Sequence, residues 1–309
     1  MAIAQTEKTH VSARGFDLRP MPEALDILAT AQMGAAWSVR SAFAGIARAA
    51  EAAADTISAG GNLVYAAAGS SALMAMADAL ELPGTYGIAR ERIKILVAGG
   101  MAGLAVTLAG ASEDDELQAA RDAADAGLTA GDLLIAVSAS GTTPYALGAM
   151  AAARSRGARI VGMANNAGTP VLEGADIAIC LPTPPEVIAG STRMGAGTAQ
   201  KIALNMLSTM MATRLGHVHD GYMVNVIADN LKLRERARRI VAAVAGVGED
   251  DAAAALDTAG GSVKTAILLA AGADGLGSAR TLLERAHDHL RPALAMLQGE
   301  ARSAERSAS

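Results

Sequence analysis

Hydroxyl side chains crowd one short segment, Ser138-Ala139-Ser140-Gly141-Thr142-Thr143-Pro144, and the chemistry they suit is the holding of an anion. The run Asp132-Leu133-Leu134-Ile135-Ala136-Val137 before it has the length and branching of a buried strand, and Tyr145 to Arg156 after it reads as helix. The first turn of a helix leaves backbone N–H groups unpaired and carries partial positive charge, which suits a phosphate. Gly141 lets the backbone come close, while Ser140, Thr142 and Thr143 can donate hydroxyls. Pro144 fits the first turn, where its missing N–H costs nothing. The same residues would serve equally well as an ordinary helix cap, since Ser and Thr cap helices without any ligand. Two more hydroxyl loops, Gly69-Ser70-Ser71 and Gly190-Ser191-Thr192, share this composition.

Short apolar runs alternating with helical segments after Gly60-Gly61 point to a parallel sheet covered on both faces. Strands are predicted at Leu63–Ala67, Ile93–Ala98, Leu133–Ser138, Ile160–Ala164 and Ile177–Leu181, with helices at 70–82, 101–110, 117–126 and 143–156. Ligands of such sheets bind beyond the carboxyl ends of the strands, at or near which the three hydroxyl loops fall. Ala196–Leu215 should form a long helix with a mostly buried face. Residues 1–21 read as a flexible lead, and 22–59 as an N-terminal helical layer with Trp37 and Phe43 as core packing. The α/β domain covers 60–224, and a helical C-terminal unit covers 225–299, opening with a helix from Asn225 to Val244. A polar tail occupies 300–309.

The hydrophobic fraction of 51% with only 2% aromatic residues reflects alanine and points to closely packed helices. No apolar run is long enough to span a bilayer, and the N-terminus lacks the apolar stretch of a signal peptide, so no membrane association and a cytoplasmic location are expected. A net charge of −5, with Arg234, Arg236, Arg238 and Arg239 mixed with Glu235 on one helix, argues against nucleic acid as a partner. Cys180 is a lone, buried thiol. His217 and His219 could face one side of a strand, but no third ligand is identifiable, so no metal is expected; His287 and His289 sit two apart on a helix and do not share a face. No nucleotide-binding glycine motif occurs, and Ser138 and Ser140 lack the setting of an acyl-transfer nucleophile.

Gly190-Ser191-Thr192-Arg193-Met194-Gly195-Ala196-Gly197-Thr198-Ala199-Gln200-Lys201, continuing through Asn205 to Thr209, closely resembles N-acetylmuramic acid 6-phosphate etherases of the sugar isomerase (SIS) domain superfamily. Ala139 to Tyr145, Glu81 with Pro83 and Thr85-Tyr86-Gly87, Ala98-Gly99-Gly100, Met223 to Val226 and Lys232 to Arg236 match the same family in order. The resemblance implies a three-layer parallel-sheet SIS domain, a homodimer with the site near the subunit interface, and a cofactor-free lyase acting on a sugar or sugar phosphate. In the family the sugar ring opens, a base removes the C2 proton, a glutamic acid protonates the departing D-lactate oxygen at C3, and water adds. Glu81 falls on the acid position, a role that needs burial to keep it protonated, and would otherwise be a solvated helix-end glutamate. The second glutamate aligns with Ser112, so either Glu113 serves as the base after a one-residue shift or Glu113-Asp114-Asp115 is a solvated acidic turn.

Three cations of the family pattern are replaced, by Leu73, Thr142 and Gly195, while Arg193 and Lys201 are left as anion contacts. The expected ligand is therefore N-acetylmuramic acid 6-phosphate or a less anionic relative. The alternatives are an SIS-type aldose–ketose isomerase, using the same C2 abstraction without a leaving group, and a non-catalytic sugar-phosphate sensor.

Overall fold

The computed structural model describes residues 4–101 and 110–308, so the helix expected over 101–110 falls on 102–109, outside the described residues. The chain makes two compact units. The first runs through Leu80 and resumes over Glu91–Met210; the second joins Glu81–Arg90 to the chain from Met211 onward.

In the first unit, five apolar runs form parallel strands: β1 (Leu63–Ala67), β2 (Ile93–Val97), β3 (Leu133–Ser138), β4 (Arg159–Ala164) and β5 (Ile177–Cys180). Their order is β2-β1-β3-β4-β5, so the chain reverses its direction of travel across the sheet between β1 and β3. Every residue of β1 and β3 is buried, which explains why these strands read as continuous rather than alternating apolar runs. Asp132 fixes their start: its Oδ1 accepts from the Asn62 backbone N–H at 2.8 Å and its Oδ2 from the Thr129 N–H at 2.8 Å.

One sheet face, carrying Val64, Ala66, Leu134, Ala136 and Ile160, packs under the helices Glu116–Asp125, Pro144–Ser155 and Pro170–Glu173. Alanines let these elements approach closely, and Gly148 is required where its helix passes Glu116: an added Cβ would lie 2.5 Å from the Glu116 carbonyl oxygen. The other face, with Leu63, Tyr65, Leu133, Ile135 and Met163, is equally dry. After α1 (Met21–Ser38), the helices α2 (Phe43–Ser58) and α3 (Gly69–Ala79) pack on this face, and the long Gly195–Arg214 helix meets α3 where Asn205 and Ser208 bond Asp78. This is the three-layer α/β architecture expected.

Two expectations about the N-terminal part change. Trp37 and Phe43 are exposed, at 70% and 42%, rather than core, and Arg40 stacks its guanidinium 4.7 Å from the Trp37 ring centroid. Residues before Met21 include two short 3₁₀ turns, and Thr6 is buried against Asn166, its N–H donating to Asn166 Oδ1 at 3.2 Å.

The second unit is helical, built from Leu231–Ala245, Glu249–Thr258, Val263–Ala270, Gly275–Arg285 and Leu290–Ala308 around a core that includes Val241, Ala266, Ile267 and Leu282. The expected helix from Asn225 begins instead at Leu231, because Asn230 is its N-cap and accepts from the Leu233 N–H at 3.0 Å. His287 lies in a turn between helices, not on one, and with Asp288 takes positive φ. The segment read as a tail from 300 continues as helix to Ala308. No single helix among the described residues is long and apolar enough to cross a membrane.

Candidate functional site

The reversal between β1 and β3 opens a crevice at their carboxyl ends, and the loops that leave these two strands are the first two hydroxyl loops. After β1, Ala68 is the N-cap of α3 without a side-chain cap, so Ser70 and the buried Ser71 lie in a first turn whose N–H groups face this crevice end of the sheet.

The loop after β3 is internally wired. Ser138 Oγ bonds Thr143 Oγ1 at 2.7 Å and accepts from the Gly141 N–H at 3.0 Å. Ser140 Oγ accepts from the Thr142 N–H at 3.2 Å and from the Thr142 hydroxyl at 3.1 Å. The loop N–H groups of Gly141 and Thr142 are thus already engaged by its own hydroxyls, and the pre-shaped cluster presents Ser140, Thr142 and Thr143 side chains. Gly141 has φ of 77°, and an added Cβ would sit 2.2 Å from Thr169 Oγ1. Its close approach is therefore to Thr169.

Two residues that sequence reasoning missed hold this loop from below. Asn166 Nδ2 donates to the Ala139 and Ser140 carbonyls, at 3.1 and 3.2 Å, and to Thr6 Oγ1 at 3.0 Å. Asn165, fully buried, donates its N–H to the Ala139 carbonyl at 3.1 Å and accepts from Gln200 Nε2 at 2.9 Å. The available signal was their place, two consecutive amides directly after the carboxyl end of β4.

Ser112 and Glu113 lie against different glycines. Ser112 packs against Gly99, where a Cβ would lie 3.0 Å from its Oγ, and Glu113 reaches the first loop, where a Cβ on Gly69 would lie 2.6 Å from Glu113 Oε1. Gly69 thus leaves room for a carboxylate beside Ser70 and Ser71. Partial burial, with the neighbouring charge of Asp114, pushes the Glu113 carboxyl above its ordinary value. A poised base needs such a shift.

The third loop differs from the other two. The N-terminal amides of the Gly195–Arg214 helix are filled by Glu186, a buried carboxylate that accepts from the Gly195 N–H at 2.9 Å and the Ala196 N–H at 2.8 Å. This helix end is therefore satisfied from within the chain rather than free for a phosphate. Ser191 and Thr192 turn ahead of it, the Thr192 carbonyl accepting from the Gly197 N–H at 2.8 Å, and Arg193 is exposed. Lys201, also exposed, donates to Asn205 Oδ1 at 2.5 Å.

Glu81 belongs to the second unit, where it is the N-cap of the short helix Leu82–Tyr86. Its side chain is exposed in the single chain, unlike the burial expected of a protonated acid. The position is held by Gly87, with φ of 65°, and by Asn225, whose Nδ2 donates to the Tyr86 carbonyl at 3.1 Å. In the same unit burial, reinforced by the charge of Lys264, pulls His217 down to about 4. Among the described residues no group of three or more His, Cys, Asp or Glu side chains is placed to hold a metal ion. Cys180 is half-buried, and burial pushes its thiol up.

The SIS domain pattern matches residues 36–165. An N-acetylmuramic acid 6-phosphate etherase of Deinococcus radiodurans is 43% identical over 297 residues, covering 96% of this chain and 96% of its own. One of Streptomyces avermitilis is 47% identical over 251 residues, covering 81% and 80%. Among solved structures, a proposed phosphosugar isomerase of Bacteroides fragilis superposes with a TM-score of 0.50 at 20% identity, covering 66% of this chain and 95% of that one, which is a likeness of fold. The sheet order, the hydroxyl loops and the identity along nearly the whole chain agree: this protein belongs to the N-acetylmuramic acid 6-phosphate etherase family and is built on an SIS domain.

Proposed function

We propose that the chain is a carbon–oxygen lyase that cleaves the lactyl ether of N-acetylmuramic acid 6-phosphate or a less anionic relative. The observation that carries this reading is Glu113, its carboxylate set against Gly69 where the first hydroxyl loop begins. In the open-chain sugar, Glu113 takes the C2 proton, the C3–O bond breaks as Glu81 gives a proton to the departing lactate oxygen, and water then adds at C3 while C2 regains a proton. Ser70, Ser71, Ser140, Thr142 and Thr143 hold the polar groups of the sugar, with Arg193 and Lys201 as the cationic contacts. Leu73, Thr142 and Gly195 contribute no charge, which supports an anionic group held more weakly than in relatives with cations there.

The working form is a cytoplasmic homodimer. Support comes from the exposed Met21, Leu25, Met33 and Trp37 along one helix, with Phe43 beyond it, an apolar surface that a second copy would cover and that water alone leaves costly.

Incubation in deuterated water with N-acetylmuramic acid 6-phosphate and with its unphosphorylated form tests the reading. Lactate release with deuterium at C2 is expected. Deuterium with a ketose product would identify an isomerase, and binding with neither would identify a sensor.

A further inference from the structure

A chain of polar side chains runs from the buried floor of the first unit to Lys201. Asp78, on α3, is 3% exposed, and both of its oxygens are engaged: Oδ2 by the Tyr65 hydroxyl at 3.0 Å, and Oδ1 by Ser208 Oγ at 2.7 Å and Asn205 Nδ2 at 2.9 Å. Because Asn205 donates its amide N–H to a carboxylate, its carbonyl oxygen must point the opposite way, and there it accepts from Lys201 Nζ. Turning the amide over would set that carbonyl against the Asp78 carboxylate, two acceptors facing each other in a buried place.

Lys201 lies one helical turn after Gly197 and one before Asn205. The face they share packs on α3: a Cβ on Gly197 would touch Met74 at 3.9 Å, and Asn205 and Ser208 meet Asp78 one turn further on. The same α3 opens with Ser70 and Ser71. A lysine on a four-carbon stem samples many rotamers, and ordering it on binding weakens the contact it makes. One already tied along the helix keeps more of its attraction for an anion.

Resting on the reading that Lys201 contacts an anionic group of the ligand, we propose that Asp78 is a positioning residue that acts through Asn205, whose amide it orients so that the carbonyl holds the Lys201 ammonium in one place along the Gly195–Arg214 helix. Asn205 is then the second positioning residue, and the ligand group is a phosphate or carboxylate of the sugar.

The test uses the full chain and N-acetylglucosamine 6-phosphate as the probe, a sugar phosphate with no ether to cleave, titrated by calorimetry. Asn205→Leu and Lys201→Ala should each weaken binding about tenfold, and the double variant should be no more than about twofold weaker than Lys201→Ala alone, since both act through one contact. Asp78→Asn, which lets the Asn205 amide turn, should weaken binding in the same direction. In lactate release from N-acetylmuramic acid 6-phosphate, Asn205→Leu should raise KM with kcat within about twofold. Ser208→Ala serves as the structural comparison, because it also removes a bond to Asp78 but leaves the Asn205–Lys201 contact; melting temperatures monitor the fold of each variant. Multiplicative effects in the double variant, unchanged binding in Asn205→Leu, equal weakening by Ser208→Ala, or no binding of the probe by the unmodified chain would each overturn the proposal. Coupled effects on binding in a protein that never releases lactate would uphold it and reject the lyase.

Discussion

Two carboxylates carry opposite demands in the proposed reaction. Glu113 must accept a proton, and its partly buried place beside Asp114 raises its carboxyl above the usual range, so the acid limb of kcat/KM should lie above that of an ordinary glutamate. Replacing Asp114 with Asn removes a negative neighbour, favours the ionised form of Glu113, and should move that limb to lower pH; a pH–rate profile reads the shift. Glu113→Gln should lower kcat by about a hundredfold or more and abolish C2 exchange. Glu81→Gln should abolish lactate release yet leave deuterium entering C2, which mass spectrometry distinguishes. These two residues show what the sequence could and could not reveal. Glu81 was visible because neighbours that resemble the family pattern flank it, whereas the places of Ser112 and Glu113, against Gly99 and Gly69, emerge only from the packing.

At the level of elements, the strands were legible to within a residue or two because β1 and β3 are buried on both faces and so require unbroken apolar runs. The polar residues that brace the site were not legible. Asp78 and Asn165 are ordinary polar letters in the sequence, and each meets partners from distant parts of the chain: Asn205 lies 127 residues from Asp78, and Gln200 lies 35 from Asn165. Gly141 was rightly singled out but for a different reason, and its substitution is diagnostic. Gly141→Ala combines a left-handed φ with a Cβ driven into Thr169, and should cost about 2 kcal/mol or more in urea unfolding. A Thr169→Gly change in the same chain should recover part of the loss. Glu186→Ala would strip two buried N–H groups of their acceptor at the start of the Gly195–Arg214 helix, costing about 1–2 kcal/mol by the same measurement.

For the whole molecule, pH and association are the informative variables. His217 titrates near 4 in the folded second unit, where burial and the Lys264 ammonium oppose its charge while Asp288 and the Tyr86 backbone favour it. The unfolded chain binds the proton first, at about 6.5, so this contribution to stability is present above that pH and is lost as pH falls towards 4. The loss amounts to about 3 kcal/mol, and His217→Gln should flatten the fall in melting temperature across that window. The exposed Trp37 and Phe43 deceived the sequence reading for a simple reason: composition alone does not tell an apolar residue at the surface from one turned to its own core. Trp37→Glu should yield a monomer in sedimentation while leaving circular dichroism unchanged.

The bond from Thr6 to Asn166 closes a loop of 160 residues, which gives the start of the chain a place in the order of folding. A contact of such long range forms late, after the sheet that supports Asn166 is in place, and opens early when the molecule loosens. Brief exposure to a protease should therefore trim the residues ahead of Met21 first. The trimmed protein would keep its sheet and lose the outermost brace on the loop from Ala139 to Thr143, so its affinity for sugar should fall before its fold does.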